Sequence, residues 1–313
     1  MRIPSNLLLC GALALSTASC ASFGAGLATT ETTLAKMFIS DEQESQLGLQ
    51  VKQELETKQN VKYLNDPQIV DYVRGVANKV LAIATTERPE VQWTVNVIDD
   101  PNTVNAFATP GGYLYVYTGL LLLADNEAEL AGVMGHEAGH VVGRHSARQM
   151  VDSYGLEAVA KLALGQNPNL LAQLGTQVAA KGTLLAHSRG IEDEADEYGA
   201  RYASKAGYDP LALSRFFEKL KAKSGDTSGV MTWLSDHPAT SDRIAHITAY
   251  SQQNGLGGKE LGAARFAEIR KRLQSRPATP SGPSAGPSSG PSAGPSKGPS
   301  SGPPSAPPSG PPR

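Results

Sequence analysis

Cysteine is nearly absent from this chain of 313 residues, which contains only Cys10 and Cys20. Cys10 lies in an N-terminal segment that we expect to be removed, and Cys20 lies at the start of the remaining chain. The globular part therefore has no thiol and can form no disulfide. Any zinc site in it must use histidine and carboxylate ligands.

A strong charge of one sign and long apolar runs are missing as well. The formal net charge is −2, and no basic cluster or basic–aromatic pattern suggests nucleic-acid binding. Beyond residue 20, no apolar run is long enough to cross a bilayer as a helix. Any membrane attachment must therefore come from the N-terminal end.

The N-terminal end resembles a bacterial export signal. Arg2 precedes an apolar stretch that is too short to span a bilayer, which predicts a signal peptide over residues 1–19. Two small residues precede Cys20, as in a bacterial lipoprotein box, which predicts lipidation of Cys20 and a tether over residues 20–39. Thr17 stands where leucine is more usual, and ordinary signal-peptide cleavage is the alternative.

The residue after Cys20 bears on location. It is Ala21, not the aspartate that retains lipoproteins at the inner membrane. The lipoprotein resemblance therefore implies a periplasmic protein, anchored by lipid to the inner face of the outer membrane of a Gram-negative bacterium.

The other end of the chain, residues 276–313, has low complexity. Glycine recurs every four residues from Gly282 to Gly302 within Gly-Pro-Ser repeats, whereas collagen needs it at every third position. With almost no apolar side chains this segment cannot bury a core, which predicts a disordered tail of polyproline character. A cell-wall or protein partner for the tail and an inert tail are both open. Residues 40–275 remain and suffice for one domain.

The sequence His-Glu-Ala-Gly-His at residues 136–140 carries the most specific chemistry. Residues four apart lie about 40° apart around a helix, so the imidazoles of His136 and His140 can reach one metal ion. Glu137 projects beside them, where its carboxylate can take a proton from a metal-bound water. Two surface histidines are the alternative, but the largely apolar helix around them favours one buried zinc ion per chain.

A catalytic zinc usually has three protein ligands and one open position, so a third ligand is needed. Glu192 and Asp196 lie four residues apart and share one face of a predicted helix that runs to about Ala206. Glu192 can bind the metal, and Asp196 can accept a hydrogen bond from the far nitrogen of a ligand histidine. An acidic, solvated helix face is the alternative.

The periodicity of the chain predicts an α+β domain that is mainly helical. Two short strands are predicted, one through the alternating residues Val91–Val97 and one over Tyr113–Tyr117. They would form a small antiparallel sheet beside the metal-binding helix. Helices are predicted over residues 40–56, from 66 onwards, over 126–147, in two pieces within 150–186, and up to about 206.

These motifs resemble the HtpX-like zinc metallopeptidases, gluzincins that include the CAAX prenyl endopeptidases and the periplasmic proteases BepA and LoiP. The resemblance covers about residues 40–250 and implies a gluzincin fold around one zinc ion. The segments that carry it are Asn105–Gly112, Tyr113–Leu121, Asp125–Ala131, His136–His140, Glu192–Asp196 and His237–Ile244.

The resemblance also implies roles for residues around the metal. The strand Tyr113–Tyr117 would be an edge strand that pairs with the substrate backbone, with Tyr113 and Tyr115 as substrate contacts, and a plain sheet edge is the alternative. His237, or next Arg243, would stabilise the oxyanion. His237 could instead occupy the fourth zinc position and hold the enzyme latent, or serve as a capping or salt-bridging histidine.

Together these features predict a zinc endopeptidase that cleaves unfolded or damaged cell-envelope proteins, with Glu137 as the general base. Residues 150–186 would form a lid or plug over the cleft. The alternative is a periplasmic chaperone or assembly factor for outer-membrane proteins with latent protease activity. The chain shows no repeat of about 34 residues after the protease segment, which weakens that alternative. A structural zinc site fits poorly, because it would leave Glu137 without a task.

Overall fold

A computed structural model gives the three-dimensional structure of the protein. It describes residues 39–57, 61–164, 166–170, 188–223 and 240–276, together with residues 172, 173, 176, 234, 237 and 238. The signal peptide, Cys20 and nearly all of the tether and the tail lie outside the described residues. The predictions made for them stay predictions.

The first two helices begin where the sequence places their caps. Helix α1 (Asp41–Thr57) opens with a reciprocal capping box, in which Ser40 Oγ accepts from the N–H of Gln43 at 3.1 Å and Gln43 Oε1 accepts from the N–H of Ser40 at 2.9 Å. Helix α2 (Pro67–Glu87) follows Asp66, whose side chain accepts a backbone hydrogen bond in the first turn. Both predicted helix starts are confirmed.

Three short strands form one mixed sheet. Strands β1 (Thr94–Ile98), β2 (Ala106–Thr109) and β3 (Tyr113–Tyr117) lie in the order β1-β3-β2. Strand β3 is antiparallel to β2 but parallel to β1. The prediction of an antiparallel sheet is therefore wrong for the β1–β3 pair.

Strand β3 is also the central strand and not the predicted edge. The chain leaves β1, crosses to form the outer strand β2, and then turns back between the two. Gly111 and Gly112 make that turn with φ of 83° and 99°, values that favour glycine. The edge beside the metal-binding helix is β2, a strand that the periodicity of the sequence did not reveal.

The two faces of the sheet pack against different apolar clusters. Val97 and Leu114 face the main cluster, which α2 also lines. Phe107 and Tyr115 face a second cluster, to which α1 contributes Leu47. Both faces of the sheet therefore contribute to an apolar cluster, although Thr94 in β1 is exposed.

The helix with the histidine pair, α4 (Glu127–Val142), follows the short helix α3 (Thr118–Leu123) and is buried along almost its whole length. Asn126 caps it as predicted, because its side chain accepts from the N–H of Glu129 at 3.0 Å. The capping box is incomplete, since Glu129 accepts from Asp125 instead of Asn126. The apolar surroundings of α4 explain why no clear polar stripe interrupts its sequence.

Helix α4 ends earlier than the sequence predicts. It stops at Val142 and not at Ala147, because Arg144 adopts a left-handed φ of 54° and a new helix, α5 (His145–Ala163), then begins. The guanidinium of Arg144 bonds to Asp41 at 2.7 Å, an ion pair that α1 supplies from elsewhere in the chain. The change of direction therefore depends on a tertiary contact.

Four more helices complete the described domain: α6 (Arg189–Lys205), α7 (Ala212–Lys223), α8 (Ser241–Gln253) and α9 (Ala263–Gln274). Helix α6 packs closely on α4, where a Cβ on Gly135 would lie only 3.1 Å from the Cα of Gly199. None of the helices in the described part of the chain has the length and apolar character needed to cross a membrane. The mainly helical α+β fold is confirmed.

Candidate metal centre

Helix α4 presents two imidazoles at one point. Nε2 of His136 lies 3.1 Å from Nε2 of His140, and both side chains are buried. The four-residue spacing on a regular helix produces this approach. The next residue after His136, Glu137, is buried at the same place.

Helix α6 brings a carboxylate to the same point. Oε1 of Glu192 lies 3.5 Å from Nε2 of His140, and Oε2 lies 3.6 Å from Nε2 of His136. Glu192 is 2% exposed, so it does not belong to a solvated acidic face. The close backbone contact between α4 and α6 places it there.

A third imidazole comes from the segment before α8. Nδ1 of His237 lies 3.1 Å from Oε1 of Glu192 and 3.3 Å from Nε2 of His136. Its other nitrogen, Nε2, lies 3.7 Å from Oε1 of Glu137. His237 therefore lies between the group of donor atoms and the predicted general base.

The donor atoms fit a zinc ion. One atom from each of His136, His140, Glu192 and His237 lies within 4.8 Å of the other three, and all four residues are buried. Three imidazole nitrogens and one carboxylate oxygen are ligands that zinc accepts in tetrahedral sites. Buried charged groups are paired or coordinate a metal, and a zinc ion would be a partner for all four residues.

Asp196 lies behind His136. Its Oδ1 is 2.9 Å from Nδ1 of His136, on the side of the ring that faces away from the donor atoms. Arg243 donates to both oxygens of Asp196, each at 2.7 Å, and its Nη1 lies 2.8 Å from Oε2 of Glu192. The guanidinium of Arg243 is thus engaged with the two carboxylates and is buried, so the structure does not place it for substrate contact.

The electrostatics of His136 and Glu192 suit metal ligation, whereas those of His237 favour its protonated form. Burial lowers the pKa of His136, so its imidazole is neutral, the form that binds a metal. Burial would raise the pKa of Glu192, but His237 and Arg243 hold it well below its usual range. Burial would lower the pKa of His237, whereas the carboxylates of Glu192 and Glu137 raise it to about 9.

The two tyrosines predicted to contact substrate lie elsewhere. Tyr115 is fully buried, and its ring stacks on Phe107 in the second cluster with centroids 4.6 Å apart. Tyr113 is partly exposed and packs against the same cluster. Their contact with substrate stays a prediction.

Two features of the site were not found in the sequence. Beside His140 is a small pocket that Ala108 of β2 and Arg144 help to line. His145 would point away from the face of His140 on the continuous helix predicted over residues 126–147, but it contacts that histidine directly at 2.8 Å. Nothing in the local pattern indicates either contact, because both depend on how the chain turns at Arg144.

The predicted lid is described only in part. In α5, Met150 and Val159 are buried in the second cluster, so this stretch is anchored to the sheet. A kink at Gly155, with φ of 75°, separates the two halves of the helix. Most of the rest of residues 150–186 lies outside the described residues, and the lid stays a prediction.

This metal centre is that of a gluzincin-type metallopeptidase. One buried helix supplies two histidines and a glutamate, and a neighbouring helix supplies a further glutamate. The sequence matches Peptidase family M48 over residues 67–251, which is more than half of the chain, and the protein belongs to this family. This confirms the resemblance drawn from the motifs. Helices α1 and α9 lie outside the matched residues.

Several characterised proteins are similar to this chain. Over 176 residues it is 34% identical to the mitochondrial metalloendopeptidase OMA1 of Schizosaccharomyces pombe, which covers 56% of this chain and 51% of that protein. Over 223 residues it is 34% identical to OMA1 of Arabidopsis thaliana, and the match covers 70% of this chain and 44% of that protein. Over 222 residues it is 28% identical to the beta-barrel assembly-enhancing protease of Escherichia coli, and the match covers 68% of this chain and 45% of that protein.

The chain spans about half the length of the curated relatives it matches. Because these relatives include mitochondrial proteins and a bacterial one, family membership alone does not define the compartment.

Proposed function

We propose that the protein is a zinc-dependent endopeptidase that cleaves unfolded or damaged cell-envelope proteins. The observation that carries this proposal is the convergence of donor atoms from His136, His140 and Glu192 with Glu137 adjacent to them. Membership of a peptidase family supports the reaction class. The envelope substrates rest on the predicted signal peptide and lipid anchor.

The chemistry needs a base beside the metal. When bound, zinc supplies a Lewis acid that polarises a peptide carbonyl and acidifies water. Glu137 follows a predicted ligand directly on a rigid helix, which fixes its carboxylate relative to the centre. It accepts a proton from the attacking water and passes one to the leaving amine.

Substrate binding belongs to β2 in this proposal. The N–H of Tyr117 donates to the carbonyl of Asn105 at 3.0 Å, so in the alternating antiparallel pattern Ala106 and Ala108 direct their peptide groups away from β3. Among the described strands none pairs with that edge. An extended substrate can therefore add to β2 beside His140. Peptides N-methylated at successive amides should lose cleavage at alternate positions, and uniform cleavage would contradict this mode.

His237 acts as a gate in this proposal. Its Nδ1 lies among the donor atoms, where it can fill the position that a catalytic zinc keeps open. Displaced from that position, its imidazole can donate to the oxyanion. X-ray absorption of the zinc-loaded protein should show one imidazole fewer in His237→Ala than in wild type. Identical coordination would remove the gating role.

The decisive test compares wild type with Glu137→Gln on an unfolded protein substrate. The wild type should digest it only with zinc, with products mapped by mass spectrometry. The variant should keep zinc and lose nearly all turnover, because an amide cannot act as the base. Equal digestion by both preparations, after contaminating proteases are excluded, would contradict the assignment of Glu137.

An assembly factor is the second candidate, because one bacterial relative is named a beta-barrel assembly-enhancing protease. The same Glu137→Gln variant separates the two candidates. An assembly factor should support outer-membrane protein assembly equally well without turnover, whereas a quality-control protease should not. Metabolic labelling with a fatty acid, compared between wild type and Cys20→Ala, tests the predicted outer-membrane anchor.

A further inference from the structure

We propose that His145, backed by Glu194, holds the ring of His140 in the orientation and tautomer that metal binding requires. His145 is a positioning residue, because it contacts His140 and lies outside the group of donor atoms. The inference rests on the proposed metal site but not on peptide hydrolysis.

The two nitrogens of His140 face different partners. Nε2 points into the centre, 3.1 Å from Nε2 of His136 and 3.5 Å from Oε1 of Glu192. Nδ1 points away from it and lies 2.8 Å from Nδ1 of His145. His145 is fully buried, so the contact is shielded from solvent.

Hydrogen-bond accounting assigns the protons. Metal binding through Nε2 of His140 uses the lone pair of that atom, so the neutral ring carries its proton on Nδ1. This N–H must donate to Nδ1 of His145, which therefore has a lone pair and not a proton. The proton of His145 then lies on its Nε2.

A carboxylate faces that second nitrogen. Oε2 of Glu194 lies 3.5 Å from Nε2 of His145 and accepts a hydrogen bond from Arg148 Nη1 at 2.5 Å. Helix α6 thus places a carboxylate behind each histidine of α4. Asp196 contacts His136 directly, and Glu194 reaches His140 through His145.

Gly143 leaves the space that the ring of His145 occupies. A Cβ at this position would lie 2.4 Å from Nε2 of His145. The backbone of Gly143 has φ of −71° and ψ of −3°, which alanine adopts without strain. Any side chain here would therefore act mainly by displacing the ring.

The test measures the zinc dissociation constant of the full chain by competition with a chromogenic chelator. His145→Leu removes the acceptor and should weaken zinc binding about 10- to 100-fold. His145→Asn keeps an oxygen near the position of Nδ1 and should recover most of the loss. Gly143→Ala and Glu194→Gln should weaken binding in the same direction. His246→Asn, which breaks a similar contact at 3.0 Å to Glu197, is the matched control and should stay within about twofold.

A merely structural role would lower the melting temperature of the zinc-free protein equally in the leucine and asparagine variants and leave their zinc affinities alike. That result would overturn the proposal. If His145→Leu does not fold, Gly143→Ala and Glu194→Gln decide, and wild-type affinity in both would also overturn it. If wild type itself binds no zinc, the proposed metal site fails instead.

Nitrogen-15 NMR of the histidines in the zinc-loaded protein gives an independent readout. Protons on Nδ1 of His140 and on Nε2 of His145 are expected. A proton on Nδ1 of His145 would contradict the assignment.

Discussion

Oδ1 of Asp196 lies 2.9 Å from Nδ1 of His136, so a carboxylate on α6 orients a histidine on α4. The same carboxylate is held by Arg243 at 2.7 Å through each oxygen. A chain of three buried side chains therefore sets the direction in which Nε2 of His136 points. Such contacts behind a ligand raise its basicity and limit its rotation.

Asp196→Asn should weaken zinc binding about 10- to 100-fold, because the amide is a weaker acceptor and leaves Arg243 with one of its two charged partners. The measurement is the zinc dissociation constant, alongside the melting temperature of the zinc-free protein. Asp242→Asn is the control, since Asp242 is exposed and pairs with the exposed Arg189. Equal zinc affinities in the two variants would contradict an orienting role for Asp196.

Gly139→Ala should destabilise the protein by about 1–3 kcal/mol, because the new Cβ would lie 2.6 Å from the Cβ of Tyr198 on α6. Separating α4 from α6 should also weaken zinc binding, since the two helices supply different ligands. Gly190→Ala is the matched control on α6, because a Cβ there meets nothing within 4 Å. Chemical denaturation of both variants measures the difference, and equal stabilities would contradict the tight contact.

Arg88→Leu should lower the free energy of unfolding by about 3 kcal/mol. Arg88 is buried, donates to the carbonyl of Val141 at the end of α4 at 2.6 Å, and pairs with the buried Glu44 of α1. Loss of the Arg88 guanidinium leaves the buried negative charge of Glu44 with one cationic partner fewer. Arg189→Leu removes an exposed pair and should change stability by less than about 1 kcal/mol. A similar effect of both substitutions in urea titrations would show that the link from α1 to α4 contributes little.

Glu127→Gln should reduce stability by about 1–3 kcal/mol at neutral pH and by less in acid. Burial would raise the pKa of Glu127, but hydrogen bonds from Tyr72 at 2.6 Å and Tyr208 at 2.9 Å, together with Arg265, lower it. A lowered folded pKa stabilises the protein above the pKa of the unfolded chain, about 4.3, and this contribution is lost as the pH falls through the folded pKa. Unfolding free energies from pH 7 to pH 3 measure the difference between variant and wild type. The control is Glu218→Gln at an exposed position, which should differ from wild type by less than about 0.5 kcal/mol at every pH.

A loss of stability in Glu127→Gln that stays constant with pH would contradict a lowered pKa of Glu127.

Local features of the structure follow the sequence closely. Ser40 and Asn126 start helices where their side chains can accept backbone hydrogen bonds. His136 and His140 share a face because a helix repeats every 3.6 residues. Such features depend on residues within one turn of each other, so a pattern of a few positions suffices to predict them.

The predictions from sequence are wrong where the structure depends on contacts between segments that are distant in the chain. The order of the strands depends on the path of the chain between β1 and β2, and no periodicity encodes that path. The end of α4 depends on Arg144, whose partner Asp41 lies about a hundred residues earlier in the chain. The contact of His145 with His140 follows from that same turn, so counting positions along a continuous helix directed it away from the site.

The sequence by itself determined the kinds of donor atoms, the helical spacing of the histidine pair, the glutamate beside it and the family. Those properties lie in short motifs whose geometry the helix repeat imposes. The tertiary structure alone decided that β2 is an edge strand among the described strands, that His237 lies among the donor atoms and that His145 lies behind His140. These relationships require particular packing of α6, of the segment before α8 and of the turn at Arg144, which long-range contacts set.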